Sequence, residues 1–380
     1  MSRLTIYRPE IIETETGARL QAVFTSNGRE ETMWYEVEKK YQGYLTVERA
    51  DAFLVGLFLF AFKNGEDIEV LAPISKRLYY TLNKYLLPLI ADIRGIKEIK
   101  IHCDQIVEEV LPSANAVGTG LSCGIDSFST IYHHLVEDCP EDYKITHFTF
   151  FNVGSNGGLG GEKARQLFKK RSDLVRPCAN ELGKELVTLD SNISEILQLG
   201  FYETHTYRNM SACLALQKLF KVYYYSSSYS LKYFDLKPNS CGHYDIFNMS
   251  MLSTENISLY SSCPHHTRVE KTRMVSNFEP AYKYLNVCLV DGENCGGCEK
   301  CVRTLFTLEV MGKLNEFSTV FNLENYYQKR QNYIAKVIAN HKSNEYMKEI
   351  YDELVKNDFK VPMYSKLAAN YLKIKNLVLN

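Results

Sequence analysis

Two short segments of the chain carry side chains whose types and spacing can do chemistry, and the first is the turn around Ser122. The stretch Gly118–Phe128 reads GTGLSCGIDSF, a short strand that runs through small residues into a helix. Glycine lets the backbone approach a ligand closely, and a helix N-terminus presents N–H groups and partial positive charge to an anion. Hydroxyls at Ser122 and Ser127 add donors, while Asp126 could cap the helix or hold Mg2+. The segment has no Gly-Lys-Ser/Thr, so it is not a Walker A loop, and a plain helix-capping turn is the alternative.

The second segment is a group of four cysteines, Cys288, Cys295, Cys298 and Cys301, with the spacing C-x6-C-x2-C-x2-C. Thiolates two residues apart can bind one tetrahedral Zn2+, and Gly296-Gly297 allows the tight backbone turn between them. Four sulfur ligands would close the coordination shell, so the metal would be structural. An iron–sulfur cluster fits four thiolates as well, and scattered buried thiols are the remaining alternative.

The Ser122 turn resembles the Ser-Gly-Gly-x-Asp-Ser signature of the PP-loop ATP pyrophosphatases. That family cleaves ATP to AMP and pyrophosphate, and its loop holds the pyrophosphate. Cys123 departs from the pattern because it stands where the first motif glycine would be, and a cysteine fits there if its φ is negative. The resemblance implies that ATP is bound by Ser122, Cys123, Gly124, Ile125, Asp126 and Ser127.

The cysteine spacing and the following Arg303 resemble the zinc site of the 7-cyano-7-deazaguanine synthase family, which also has a PP-loop. Tyr207-Arg208-Asn209 resembles that family's Gly-Arg-Asn before a helix, and Thr267–Lys271 (TRVEK) resembles a Thr-Lys segment upstream of the cysteines. The resemblance covers roughly residues 115–310. It favours zinc over iron–sulfur, and it implies that the catalytic residues are Asp126, Arg208 and Lys271.

Other residues are open to both a chemical and a structural interpretation. His205 could act as a general base, but a structural histidine is more common. Three adjacent ligands in Cys263–His266 cannot easily face one ion, so we prefer no metal site there. A sulfur-transfer reaction would need a reactive thiol with a lowered pKa, for which the candidates are Cys123, Cys213, Cys241 and Cys263.

The element pattern predicts an α/β fold in three parts. Residues 1–112 read as a mixed α+β domain of unknown role. Residues 113–285 alternate strand, loop and helix, including a helix over Asn209–Phe220, which predicts a parallel sheet with its ligand at the carboxyl ends of the strands. The resemblance implies that this part is a Rossmann-like, nucleotide-binding PP-loop domain. Residues 286–380 are expected to hold a zinc knuckle and C-terminal helices.

Composition and charge exclude several classes of function. The 380 residues are 45% hydrophobic and 23% charged with a net charge of −1, so no global field favours nucleic acid or an anionic membrane. The longest apolar run, Ala52–Phe62, is too short for a membrane span and predicts a buried helix. The N-terminus does not read as a signal peptide, and 11 cysteines, an odd number, argue against a disulfide framework. We therefore expect a cytoplasmic protein.

Together these observations predict an ATP-dependent ligase that adenylates a carboxylate or amide for attack by ammonia or an amine. The expected partners are a small-molecule acid and ATP with Mg2+; a protein acceptor and a homodimer stay open, and neither nucleic acid nor membrane is expected. Two alternatives remain, a PP-loop sulfur transferase that works through the same adenylate and a nucleotide-binding module without turnover.

Overall fold

The computed structural model describes residues 2–288 and 293–379, with side chains up to residue 375. The predicted α/β class is confirmed. Within the described part, no helix is long and apolar enough to cross a membrane. The chain divides into two compact units, and these bounds differ from the predicted division at 112 and 285. The sheet unit comprises Met1–Gly120, Cys139–Ser228 and Phe234–Ser262, and the helical unit comprises Leu121–Asp138, Tyr229–Tyr233 and Cys263–Asn380.

The described strands all lie in the sheet unit. They are β1 (Arg3–Ile6), β2 (Glu10–Glu13), β3 (Gly17–Ser26), β4 (Arg29–Glu38), β5 (Asp67–Val70), β6 (Ile74–Ser75), β7 (Ile101–Cys103), β8 (Ile106–Val107), β9 (Ala116–Gly120), β10 (His147–Asn152), β11 (Glu185–Ser191), β12 (Phe220–Ser226) and β13 (Ser258–Ser262).

The described helices are shared between the two units, with α4 and α9 to α14 in the helical unit. They are α1 (Asp51–Asn64), α2 (Lys76–Thr81), α3 (Leu87–Arg94), α4 (Ile125–Leu135), α5 (Glu162–Glu181), α6 (Ile193–Leu197), α7 (His205–Leu214), α8 (Asp245–Leu252), α9 (Arg268–Val275), α10 (Glu279–Tyr284), α11 (Glu299–Val310), α12 (Leu323–Asn340), α13 (Glu345–Lys356) and α14 (Met363–Leu379).

One half of the main sheet is parallel, as the strand–helix alternation predicts. Its order is β13-β12-β9-β10-β11, and each neighbouring pair is parallel. Because parallel strands end at the same edge, the carboxyl ends of these five strands share one edge of the sheet unit. The residues at that edge are Gly120, Asn152, Ser191, Ser226 and Ser262.

The other half of the sheet is built by the N-terminal residues. The long strands β3 and β4 form a hairpin whose turn is Asn27-Gly28, both with positive φ, as a two-residue hairpin turn requires. Strand β4 pairs antiparallel with β11, where Val37 faces Leu189, and β3 continues to β1, β5 and β7. The N-terminal strands therefore extend the same sheet that the parallel strands form.

One helix differs from the sequence prediction, and another agrees with it. The helix expected over Asn209–Phe220 is α7, which ends at Leu214, since Phe220 pairs with Ala116 as the first residue of β12. The apolar run Ala52–Phe62 forms α1, which is buried around nearly its whole circumference, as predicted. A long-range strand pairing therefore removes Phe220 from the predicted helix.

Candidate functional site

The Ser122–Ser127 turn leads into α4, which begins at Ile125. Gly124 precedes the helix with φ −83° and ψ 173°, an extended conformation. The Ser122 amide donates to Ser127 Oγ (3.2 Å), and the Gly124 amide donates to Ser122 Oγ (3.3 Å). The first-turn amides of Ile125 and Asp126 have no acceptor within an α-helix, so the turn directs hydrogen-bond donors beyond the helix end.

Cys123 corrects one expectation about this turn. Its φ is +55°, in the left-handed region, whereas a negative φ was expected for a non-glycine residue. The side chain is 2% exposed, and the carbonyl oxygen accepts a hydrogen bond from the Asn286 amide at 2.8 Å. A left-handed residue with a Cβ costs about 1–2 kcal/mol, so tertiary contacts hold this conformation against a local preference. The glycine of the family pattern would adopt it freely.

Asp126 lies at the centre of a group of cations in the helical unit. One carboxylate oxygen is 2.9 Å from Arg268 Nη2, and the other is 3.5 Å from Lys271 Nζ. The Lys271 side chain is only 2% exposed, while that of Asp126 is 28% exposed. A buried cation is costly without a counter-charge, so Asp126 fixes both cations at the start of α4.

The start of α9 is what positions these two cations. Thr267 forms a capping box with Glu270, in which each side chain accepts from the other residue's backbone N–H. Glu349 also accepts a hydrogen bond from the Val269 amide at 3.2 Å. Arg268 and Lys271 are three residues apart, so they lie on one face of α9.

The pKa values of these cations follow from burial and from their neighbours. Burial lowers the pKa of Lys271, and Arg268 adds to this effect while Asp126 opposes it. Burial acts to lower the pKa of Arg268 as well, but the Asp126 carboxylate outweighs it and raises the value. Both cations therefore depend on Asp126 for their charge balance.

Two further basic residues on α11 belong to the same group. Burial lowers the pKa of Lys300, helped by the positive charges of Arg303 and Arg268. The Arg303 guanidinium lies 4.4 Å from the ring centre of Tyr346, and that of Arg268 lies 5.9 Å from it. These four cations, Asp126 and Glu349 thus form one group of charges in the helical unit.

Asp126 fits a charge-pairing role better than a Mg2+ ligand in this arrangement. Both of its carboxylate oxygens face cations, at 2.9 and 3.5 Å. A divalent ion at these oxygens would require one of the cations to move away. The prediction of Mg2+ therefore stays a prediction, with Asp126 as the partner of Arg268 and Lys271.

The four predicted cysteines come together at the start of α11. Their Sγ atoms all lie within 4.8 Å of one another, and Cys288 Sγ and Cys298 Sγ are 3.8 Å apart. Gly296 has φ +71°, and a Cβ there would lie 1.9 Å from the Asn322 carbonyl oxygen, so only glycine fits. The Cys298 amide donates to Cys295 Sγ at 3.3 Å. The local backbone therefore brings the four sulfurs into one cluster.

This cluster could hold a metal such as zinc. In a tetrahedral Zn2+ site with bonds of about 2.3 Å, sulfurs lie roughly 3.8 Å apart, which matches the measured pair. Burial acts to raise the pKa of Cys295, but the amides of Gly297 and Cys298 outweigh it and leave a value of about 7. The thiolate that a metal requires is thus accessible at this residue near neutral pH.

Arg208, the third predicted catalytic residue, lies in the sheet unit and is fully buried. Its guanidinium donates to the carbonyls of Gly158 (3.0 Å) and Leu199 (2.8 Å) and to Ser194 Oγ (2.9 Å). Gly154 permits this arrangement, since a Cβ there would lie 2.7 Å from Nη1. Burial lowers the pKa of Arg208 to about 10. Its predicted role on phosphate stays a prediction, and three of its hydrogen bonds are made to the protein itself.

His205 is also engaged within the sheet unit. Its Nδ1 lies 2.6 Å from the Tyr225 hydroxyl, the side chain is nearly buried, and burial lowers its pKa. This environment matches the structural interpretation of the residue, because the imidazole has a fixed polar partner.

Sequence reasoning did not assign a role to Arg268, Lys300 or Tyr346. A signal for Arg268 was present, because it lies in the TRVEK segment, whose Thr-x-x-Glu spacing is that of a capping box. The spacing of Lys300 and Arg303 also places them on one helical face. No local pattern links Tyr346 to them, since the contact depends on tertiary packing.

Comparisons with known proteins found no relative of this chain. No family model, no curated protein and no solved structure matches the chain.

Proposed function

We propose that this chain is an ATP-dependent ligase of the PP-loop type that forms AMP and pyrophosphate. One observation carries the proposal: the Ser122–Ser127 turn, the N-terminus of α4 and the cations Arg268 and Lys271 occur together within the helical unit. Amide donors and cations in one place are what a leaving pyrophosphate needs.

The proposed reaction has two steps. A substrate carboxylate oxygen attacks the α-phosphorus of ATP, the bond from that phosphorus to the bridging oxygen breaks, and pyrophosphate leaves with the electron pair. Ammonia or an amine then attacks the acyl carbon, the carbon–oxygen bond to AMP breaks, and the nitrogen loses a proton. The products are an amide, AMP and pyrophosphate.

In this scheme the protein acts through position and charge. Negative charge grows on the bridging oxygen as pyrophosphate leaves, and Lys271 and Arg268 stabilise it because Asp126 holds them in place beforehand. The low exposure of Lys271 excludes water around its ammonium group, which strengthens its interaction with phosphate. Asp126 is then a positioning residue for the two cations.

The cysteine cluster supports the same proposal in an indirect way. Cys298 is the N-cap of α11 and Cys301 lies in its first turn, and the same helix carries Lys300 and Arg303. A metal at the cluster would fix the start of α11 and therefore the positions of those cations. We propose Zn2+ for this structural role, and an iron–sulfur cluster is the chemical alternative.

Thiolation ranks below amide formation because of the environment of the candidate thiols. Cys123, Cys213, Cys241 and Cys263 are all buried. Burial raises the pKa of Cys213 well above its usual range and that of Cys241 to about 12. A persulfide carrier needs a lowered pKa and access to the substrate, so neither of these two thiols is suited to the role.

The proposal is tested with ATP labelled at the α-phosphate. The purified protein is incubated with labelled ATP, Mg2+, ammonium and a panel of small carboxylic acids that includes a deazaguanine carboxylate. We expect AMP and pyrophosphate in equal amounts with at least one acid and little ADP. The Asp126→Asn variant should form AMP at least about tenfold more slowly, since its cations lose their counter-charge.

Two outcomes would contradict the proposal. Unchanged AMP formation by Asp126→Asn would reject the role of the carboxylate. Clear ATP binding with no AMP from any acid would favour a nucleotide-binding module. Changing Cys123, Cys213, Cys241 or Cys263 to serine separates the two reactions, because an amide ligase should retain activity in all four variants.

A further inference from the structure

A group of histidines lies at the far end of α4 in the helical unit. His133 belongs to the last turn of α4, and His265 and His266 lie between β13 and α9. The ring centres of His265 and His266 are 3.9 Å apart, and that of His133 is 6.5 and 6.3 Å from them, respectively. Three imidazoles from two separate segments therefore face one region.

Two of these rings are arranged for a ligand, His133 by a polar contact and His266 by a nitrogen that has no partner. His133 Nδ1 is in direct hydrogen-bond contact with the Glu137 carboxylate, one helical turn further on. A carboxylate on one ring nitrogen fixes the tautomer and leaves the other nitrogen as a metal ligand. His266 Nδ1 is buried and has no hydrogen-bond partner among the described residues. A buried imidazole nitrogen without a partner is uncommon and points to a missing ligand.

Burial and neighbouring charges favour the neutral form of the His266 imidazole, which is the form that binds metals. Burial lowers the pKa of His266, and the positive forms of His265 and His133 lower it further, while Glu270 and Glu137 oppose this. A divalent cation at the centre would give the unpartnered His266 Nδ1 a ligand bond.

We propose that His133, His265 and His266 form a second metal site, with Glu137 as the residue that orients His133. The donor set suits a divalent transition metal such as Zn2+, Ni2+ or Cu2+. With nitrogen–metal bonds of about 2.0–2.1 Å, tetrahedral ligands place ring centres roughly 5 Å apart. The His133 ring must therefore approach the other two by about 1 Å, and the His265 and His266 rings, now 3.9 Å apart, must separate by about 1 Å. His265 is exposed and His133 is partly exposed, so both side chains have room to rotate.

This proposal changes the earlier preference against a metal at Cys263–His266. That preference rested on the difficulty of turning adjacent residues toward one ion. The third ligand comes instead from α4, and the neighbouring rings of His265 and His266 already lie together. The site would join the end of α4 to the segment that leads into α9, the two helices that carry Asp126 and Lys271.

The test is the number of bound zinc ions per chain in tag-free full-length protein. Chelator-washed protein is dialysed against free Zn2+ and analysed for metal and protein. We expect two zinc ions per wild-type chain, one held firmly by the cysteines and one that a chelator removes. The double variant His133→Ala/His266→Ala should bind one, whereas the control variant His102→Ala, which changes an exposed histidine on β7, should bind two.

Two further measurements do not depend on whether the double variant folds. Glu137→Gln retains all three imidazoles and should weaken the second zinc about 10–100-fold. Co2+ added to protein whose cysteine site is filled with zinc should absorb without a thiolate-to-cobalt charge-transfer band, as nitrogen ligands require. Only one zinc in the wild type, an unchanged count in the double variant, or a thiolate band would each overturn the proposal.

Discussion

The two places where cations were expected to meet ATP phosphates differ in what holds the cations. Arg208 in the sheet unit is fully buried, and its guanidinium donates to two backbone carbonyls and a serine hydroxyl. Lys271 and Arg268 in the helical unit are held by a partly exposed carboxylate at a helix N-terminus. Backbone carbonyls hold the Arg208 guanidinium in a structural role. An incoming phosphate could instead take the place of the Asp126 carboxylate, which Lys271 and Arg268 share.

The comparison teaches that a buried cation is not by itself a sign of phosphate binding. Both Arg208 and Lys271 are almost inaccessible, and burial lowers the pKa of both. The difference lies in their partners, because a phosphate could replace the Asp126 carboxylate as counter-charge, but it would have to displace several fixed hydrogen bonds at Arg208.

The largest effect is expected for Lys271→Met, which removes the buried ammonium and keeps the side-chain volume. AMP formation should fall about 10²–10³-fold, the usual cost of losing one donor to a developing oxyanion. The matched control is Arg273→Met on the same helix, where the guanidinium pairs with Glu353 instead. Steady-state AMP production measures both, and equal rates in the two variants would remove the distinction between the cations.

The next effect concerns stability and tests the structural role of Arg208. Arg208→Met should lower the free energy of unfolding by about 2–3 kcal/mol, because the carbonyls of Gly158 and Leu199 lose their donor. Urea unfolding followed by circular dichroism measures this change. AMP formation per folded molecule should change less than for Lys271→Met. A large loss of activity with unchanged stability would instead place Arg208 on the phosphates.

A smaller effect is expected at Cys123, whose φ is positive. Cys123→Gly should relieve about 1 kcal/mol of backbone strain, while Cys123→Ala keeps the strain and also loses the thiol. Thermal unfolding should therefore rank the glycine variant above the alanine variant. If AMP formation is lost in both variants although they fold, the thiol itself takes part and thiolation regains support.

The last effect concerns the pH dependence of stability at the far end of α4. Burial, with a contribution from His133, lowers the pKa of His134 to about 4. The unfolded chain binds this proton near pH 6.5, so the folded state loses stability as pH falls from about 6.5 to 4. His134→Gln should flatten that loss. If the melting temperatures of wild type and variant change equally with pH across this window, His134 is not responsible for the loss of stability.

Much of the site followed from local sequence patterns, and the rest depends on tertiary packing. The strand–turn–helix at Ser122–Ser127 and the assembly of Cys288, Cys295, Cys298 and Cys301 agree with the positions that spacing predicted. The left-handed Cys123 was missed, because a local preference against positive φ is overridden by surrounding contacts. Asp126 and Lys271 were both predicted as site residues, but the pairing of Arg268 with Asp126 was missed because 142 residues separate the two.

The fold also has features that local sequence patterns predict and features that depend on tertiary packing. The parallel strands were predicted because strands that alternate with helices require crossover connections. The antiparallel pairing of β4 with β11 was not predicted, since it joins residues that are about 150 positions apart and leaves no local pattern. The role of the N-terminal strands as an extension of the sheet therefore became visible only in the structure.

The central claim is that the Ser122–Ser127 turn and the cations at Asp126 hold the pyrophosphate part of ATP. Titration calorimetry with inorganic pyrophosphate and Mg2+ tests this claim most directly, because it requires no knowledge of the acid substrate. We predict pyrophosphate binding that competes with ATP and that weakens at least about tenfold in Lys271→Met but not in Arg273→Met. Equal pyrophosphate affinity in the wild type and Lys271→Met, or ATP binding that pyrophosphate does not displace, would contradict the claim.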